Sequence, residues 1–176
     1  VEDGDNGTRR LIHGVILHGE QYLKPERRNS PTTYYGPDSG VALAIKHTRQ
    51  ENQSVGVIGL GSGTLAVWGK PGDSYRFYDI NPQVVNIAQT EFTYLKDSRA
   101  NITISLGDAR LSLEREAPHA FDVLVVDAFS SDSIPVHLIT KEAMAVYLKH
   151  LKPDGAIAIH VTNRFLRLSP VVKKIA

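Results

Sequence analysis

The chain has 176 residues, no cysteine, and a formal net charge of +1 from 20 basic and 19 acidic side chains. That length suits one domain with a real core, and the missing thiols exclude disulfides and thiolate metal centres. Balanced charge leaves no basic stripe for nucleic acid, and no apolar run approaches the roughly 20 residues that span a bilayer.

Val1 to Thr8, VEDGDNGT, is polar and glycine-bearing and reads as a frayed terminus. Between Arg10 and Tyr22, two similar steps end in His13–Gly14 and His18–Gly19. Their β-branched residues broken by His-Gly suggest short strands or a hairpin. No carboxylate stands at ligand spacing from either histidine, so they read as turn or surface residues and no metal is expected. Lys24 to Pro37 carries three prolines and ends on Tyr34–Tyr35 and Gly36–Pro37. Such a polar loop with aromatic hydroxyls suits a lid over a ligand. Asp38 or Ser39 then caps a helix reaching Arg49, with Val41, Leu43, Ala44 and Ile45 as its apolar face.

The stretch from Val55 to Asp79 organises the rest. Val55 to Leu60 is a short apolar run ending in glycines, the pattern of a buried parallel strand. Gly59, Gly61, Ser62 and Gly63 follow as a turn, and Leu65 to Trp68 opens a helix. A second strand, Tyr75 to Tyr78, ends on Asp79. Strand, glycine turn, helix, strand and acid make a nucleotide-binding half-unit. Glycines admit close backbone approach, a helix N-terminus offers N–H groups, and the acid can accept both ribose hydroxyls. Thr64 stands where a full dinucleotide fingerprint has a small residue, usually glycine, so NAD and S-adenosyl ligands both stay open here.

Asn81 caps the next helix, through Leu95, with Pro82 in its first turn. Ile102 to Leu106 is the third strand, leading into Gly107–Asp108–Ala109. Asp108 can accept from an adenine amino group or cap the helix Ala109 to Arg115. Phe121 to Val126, FDVLVV, reads as the strongest buried strand, and Asp127 follows it, where a parallel sheet opens its ligand crevice. The loop after it carries Asp132. A helix over Lys141 to Leu151 and a fifth strand over Ala156 to Val161, containing His160, precede a last helix from Ser169. Strands alternating with helices mean a doubly wound parallel sheet. Three acids at strand ends, Asp79, Asp108 and Asp127, describe a pocket. The chain divides into a β segment and lid over residues 1–36 and a Rossmann-like ligand domain over 37–176.

With these residues set out, the chain resembles the spermidine synthases, the polyamine aminopropyltransferases. More closely it resembles bacterial spermidine-synthase-like domains that are often fused to membrane segments. The likeness runs from about Leu11 to Pro170. It rests on His18–Gln21, Tyr34–Tyr35, the glycine loop, Gly107–Asp108–Ala109 and the loop from Asp127 to Pro135. The resemblance implies a class I methyltransferase-type fold whose final strand pair is missing after Ala176. It implies S-adenosylmethionine or its decarboxylated form as cofactor, with methylthioadenosine as product. Gly59, Gly61, Ser62, Gly63, Ala109 and Gln21 would line the cofactor, Asp79 would hold its ribose and Asp108 its adenine. Asp127 would be the catalytic base. Tyr34, Tyr35, Asp132 and His160 would meet a small-molecule amine.

The same resemblance implies a cytoplasmic setting, as a free protein or as the cytoplasmic part of a membrane protein, and a homodimer. Three departures stand out. Ser62 replaces a loop aspartate that would repel a carboxylate, so ordinary S-adenosylmethionine is no longer rejected. Tyr34–Tyr35–Gly36 lacks a polyamine-binding acid, and the loop after Asp127 is longer. The expected activity is aminopropyl transfer to an amine. A methyltransferase using Asp127 or His160, a non-catalytic sensing domain and an NAD enzyme follow in that order.

Overall fold

The computed structural model describes residues 1–129, 134–162 and 166–176. Its centre is a five-stranded parallel sheet of β4 (Ser54–Ile58), β5 (Ser74–Asp79), β6 (Asn101–Leu106), β7 (Phe121–Val126) and β8 (Leu151–Ile159), in the order β6-β5-β4-β7-β8. The first, antiparallel sheet holds β1 (Glu2–Gly4), β2 (Thr8–His13) and β3 (Ile16–Tyr22).

Alternation along each strand divides the core in two. Val55, Val57, Val123 and Val125 face one side with Tyr75 and Phe77, against Ile45 of α1 (Gly40–His47) and Ala88 of α2 (Pro82–Thr90). Ile58, Leu124, Val126 and Tyr78 face the other, against Leu113 of α4 (Ala109–Arg115) and Met144 and Tyr147 of α5 (Lys141–Lys149). Every residue of β7 is buried, as a central strand covered on both faces requires. Short helices α3 (Tyr94–Asp97) and α6 (Ser169–Ile175) complete the described α-helices.

The register matters most for the site. Ile58 pairs with both Tyr78 and Val126, Val126 pairs with Ile159, and Asp79 pairs with Leu106. The ladder continues one residue further, with N–H donors of Gly59, Asp127, His160 and Gly107 each reaching the neighbouring strand. The C-terminal ends therefore finish on one line, and everything that follows them leaves from one edge of the sheet.

Several elements differ from the sequence expectation. The N-terminus is a strand, with Glu2 paired to Arg10 and an Arg9–Asp3 ion pair at 2.8 Å. Val67–Trp68 runs only into a 3-10 turn, Thr64–Trp68, which Gly69 ends. A Gly-Lys-Pro-Gly turn follows too soon for a longer helix, so the glycine loop leads into a short turn in place of a long helix. The helix from Asn81 stops at Thr90, and α3 follows separately. The fifth strand starts early, at Leu151, with Pro153–Asp154–Gly155 looped out between the Leu151 and Ala156 pairings. Ser39, not Asp38, caps α1 by accepting from the Ala42 N–H at 3.2 Å.

At the opposite edge, His150 is 2% exposed. Its Nε2 meets the Leu113 carbonyl at 2.8 Å, and its Nδ1 is buried without a partner among the described residues. Burial, with His119 nearby, lowers its pKa. The folded state thus binds fewer protons here than the unfolded chain, and stability falls as pH drops through about 6.5. Melting temperature should decline between about pH 7.5 and 5.5, and His150→Gln, which keeps a donor for Leu113, should flatten that slope. An unchanged slope would assign the decline to other groups.

Candidate active site

A cavity of about 450 Å³ lies over the glycine loop. Its floor is Ile58 to Gly61, its sides carry Asp79, Asp108–Ala109 and Asp127, and its roof is made by His13, His18 and Tyr34. A second cavity, about 730 Å³, lies over α1 and the end of β8, and includes His160. Tyr34, Tyr35 and Asp127 line both, and so form the partition between them.

The glycines admit the chain's own backbone. Gly59 has φ of +99°, and a Cβ there would collide with the Asp127 carbonyl oxygen. Gly61 has φ of +53°, and its Cβ would meet the His18 carbonyl oxygen at 2.7 Å. The loop can therefore touch the roof and the end of β7 together. Gly63 faces Leu95 instead and does not line the cavity.

Asp79 fixes the loop. One carboxylate oxygen accepts from the Leu60 N–H at 3.0 Å, the other from the Asn81 N–H at 2.9 Å. A carboxylate offers about four acceptor positions, so acceptor capacity remains on this cavity wall. Asp108 caps α4 through the Leu111 N–H at 2.9 Å and meets His137 Nε2 at 2.8 Å. Burial pushes its pKa up, but the Leu111 N–H and His137 outweigh that and hold it below the usual carboxylate value.

Asp127 is the junction. Its side chain is 5% exposed. One oxygen accepts from the Tyr35 hydroxyl, and the other lies 2.6 Å from His160 Nδ1. Burial and the Asp127 charge push the Tyr35 phenol well up, so Tyr35 remains a donor. Tyr34, 40% exposed, has its phenol pushed up to about 12 by partial burial and then by Asp127. Its ring lies 4.6 Å from that of His160, and the Phe129 ring meets His160 in a T-shaped contact at 4.7 Å.

Not every residue expected at the site is there. Gln21 is 4% exposed and does not line the cavity. Its amide donates to Arg28 O and Thr93 Oγ1 and accepts from Thr93 N, joining β3 to the segment before α3. Ser62 is buried, bonded to Thr64 Oγ1 at 2.9 Å, and packed on Gly19. Neither Ser62 nor Gly63 lines the cavity over this loop, and the Ser62 side chain packs on β3. The Arg10–Tyr35 segment is joined to the main domain through Gln21 and through the Tyr94 hydroxyl, which donates to Glu20 O at 2.9 Å. Asp132 lies outside the described residues.

Two histidines gain weight in the structure. His18 Nε2 is buried on the cavity wall without a partner among the described residues, and burial first, then His13, lowers its pKa. His137 pairs with Asp108, from the 3-10 turn Val136–Leu138. Pro135 just before that turn was the available signal, but nothing local pointed His137 across 29 residues to Asp108. Among the described residues, no three His, Asp or Glu side chains are grouped to hold a metal ion, and no helix is long and apolar enough to cross a membrane.

No family model matches the chain. It is 26% identical over 157 residues to a probable polyamine aminopropyl transferase of Bifidobacterium longum, covering 87% of this chain and 33% of that protein. It is 31% identical over 136 residues to a polyamine aminopropyltransferase of Vibrio vulnificus, covering 74% of this chain and 44% of that protein. The structure of human methyltransferase-like protein 13, in complex with SAH, superposes with a TM-score of 0.59 at 19% identity, covering 76% of this chain and 63% of that one. The chain thus spans less than half the length of these two curated relatives. It has the class I fold of S-adenosylmethionine-dependent methyltransferases. Within that class it resembles the polyamine aminopropyltransferases.

Proposed function

We propose that the chain is the ligand-binding core of a transferase that moves an aminopropyl group from decarboxylated S-adenosylmethionine to an amine acceptor. The observation that carries this reading is the pair of cavities meeting at Asp127. The smaller holds the adenosyl donor and the larger the acceptor. The residues suit such a donor. Asp79 keeps acceptor capacity toward a ribose, and the orphaned His18 Nε2 offers a hydrogen bond from the roof. Such a donor supplies an electrophilic carbon next to a sulfonium and leaves as a neutral thioether, so no oxyanion stabiliser is required. The larger cavity has an apolar floor that includes Val41, Ala44, Ile157 and Ile159, and Asp38 stands at its exposed rim. That combination suits an aliphatic chain bearing an amine.

A second reading, methyl transfer from S-adenosylmethionine, is favoured by one specific observation. Ser62 places no charge at the donor's amino-acid end and faces β3, so the loop gives no reason to reject the donor carboxylate.

Calorimetry with S-adenosylmethionine, its decarboxylated form, methylthioadenosine and NAD tests both. Methylthioadenosine should bind, and Asp79→Ala should weaken it by about 1.5–3 kcal/mol, the range for hydrogen bonds to a charged group. Melting the same variant checks that the loop survives the loss of its two backbone contacts. Tighter binding of the decarboxylated donor supports aminopropyl transfer, and tighter binding of the ordinary one supports methyl transfer. Binding of NAD alone would overturn the S-adenosyl assignment.

A further inference from the structure

We propose that His160, rather than Asp127, takes the proton from the acceptor nucleophile, and that Asp127 and Tyr35 hold its imidazole ready. The inference rests on the transferase reading above and assigns the base within it.

Both Asp127 oxygens are engaged, one by the Tyr35 hydroxyl and one by His160 Nδ1 at 2.6 Å. An ionised carboxylate only accepts, so the shared proton belongs to Nδ1. The tautomer follows from that bond. Nε2 is left with a lone pair, and it makes no hydrogen bond among the described residues. The ring plane is fixed by Tyr34 at 4.6 Å and by the edge of Phe129 at 4.7 Å. The backbone is fixed as well, since the His160 N–H donates to Val126 O at 3.0 Å.

His160 lines the larger cavity, while Asp127 sits in the partition. To act directly, Asp127 would have to offer a remaining lone pair from a side chain that is 5% exposed, whereas the His160 side chain, 21% exposed, already faces the larger cavity. A neutral imidazole, oriented by a buried carboxylate that steadies the imidazolium it becomes, is a recurring device for taking a proton during attack.

The step balances. The nucleophile's lone pair forms the new bond to the carbon next to sulfur, and the carbon–sulfur electron pair returns to sulfur. The proton lost by the nucleophile passes to Nε2. One positive charge disappears from sulfur and one appears on the imidazole, beside the Asp127 carboxylate.

The test reads the tautomer directly. In protein labelled with nitrogen-15 histidine, long-range proton–nitrogen correlation near neutral pH should show His160 protonated at Nδ1 and bare at Nε2. His160→Gln assigns the signal by its loss, and His160→Asn serves if the first variant does not fold. Asp127→Asn should move the proton to Nε2, a change that a purely structural contact would not produce. With decarboxylated S-adenosylmethionine and a panel of diamines and polyamines, His160→Gln should lower kcat by about 10²–10⁴-fold while KM changes little. An Nε2–H tautomer in the parent overturns the role of His160 whether or not transfer is found. So does a His160→Gln variant that turns over like the parent. If no amine is modified while the Nδ1–H tautomer is present, the transferase reading itself fails, and the base assignment fails with it.

Discussion

Gly59→Ala is expected to lower the melting temperature by roughly 6–12 °C, at about 2–4 °C per kcal/mol for a chain of this length. Two costs combine. At φ of +99° an alanine is strained, by about 1–3 kcal/mol. Its Cβ would also overlap the Asp127 carbonyl oxygen. Relief would need movement of backbone, which is dearer than a side-chain rotation, by a further 1–3 kcal/mol or so. Together they span about 2–6 kcal/mol, and partial relief of the overlap that leaves a total of about 3 kcal/mol gives the predicted shift. The consequence for function is larger than the loss of stability, because moving the Asp127 carbonyl moves the residue that divides the two cavities. Methylthioadenosine binding and turnover should both suffer. Gly36→Ala is the control. Its φ is −57° and nothing lies within 4 Å of its would-be Cβ, so its melting temperature should match the parent or rise slightly. A Gly59→Ala variant that melts and binds like the parent would show that the loop does not lean on Asp127.

The same contact shows what could be read in advance. Asp79, Asp108 and Asp127 were legible as one row because each stands at or just past the end of a strand-length stretch, and parallel register then aligns those ends. β7 was legible residue for residue, since a strand buried on both faces has no alternation to blur its limits. The N-cap role of Asn81 was equally local, its side chain accepting from Gln83 N at 2.9 Å.

What a side chain does across the fold was not legible. The Tyr35–Asp127 bond closes 92 residues and the His160–Asp127 bond closes 33. A lid residue and a strand-end histidine thus become partners of one carboxylate. Ser62 shows the other limit. It sits between two glycines with positive φ, and those angles turn it toward Gly19 and away from the cavity. A motif match places a residue in the loop but does not give its direction. Likewise the helix expected after the glycines failed because its local signal ended at Gly69, and buried Leu65 and Ala66 needed only one tight turn to reach the core.

Asp127→Asn and His160→Gln should each reduce turnover by about 10²–10⁴-fold, and together by no more than the larger single effect. The reason lies in the shared proton. An asparagine at 127 keeps an acceptor for the Tyr35 hydroxyl and presents its N–H groups to His160 Nδ1. That reverses the 2.6 Å bond, and the imidazole must then carry its proton on Nε2, where it cannot take another. Once the base is disabled in this way, removing the ring as well has little left to remove. Independent roles, with Asp127 accepting the proton and His160 only binding substrate, would instead make the two losses multiply. Melting temperatures of both single variants serve as the check on folding, because Asp127 is 5% exposed and its bonds also hold the turn Thr33–Tyr35 in place. The assay is release of methylthioadenosine from decarboxylated S-adenosylmethionine in the presence of the amine panel. Multiplicative losses in the double variant would return the proton to Asp127. A non-additive double variant places it on His160, with the carboxylate 33 residues away as its holder.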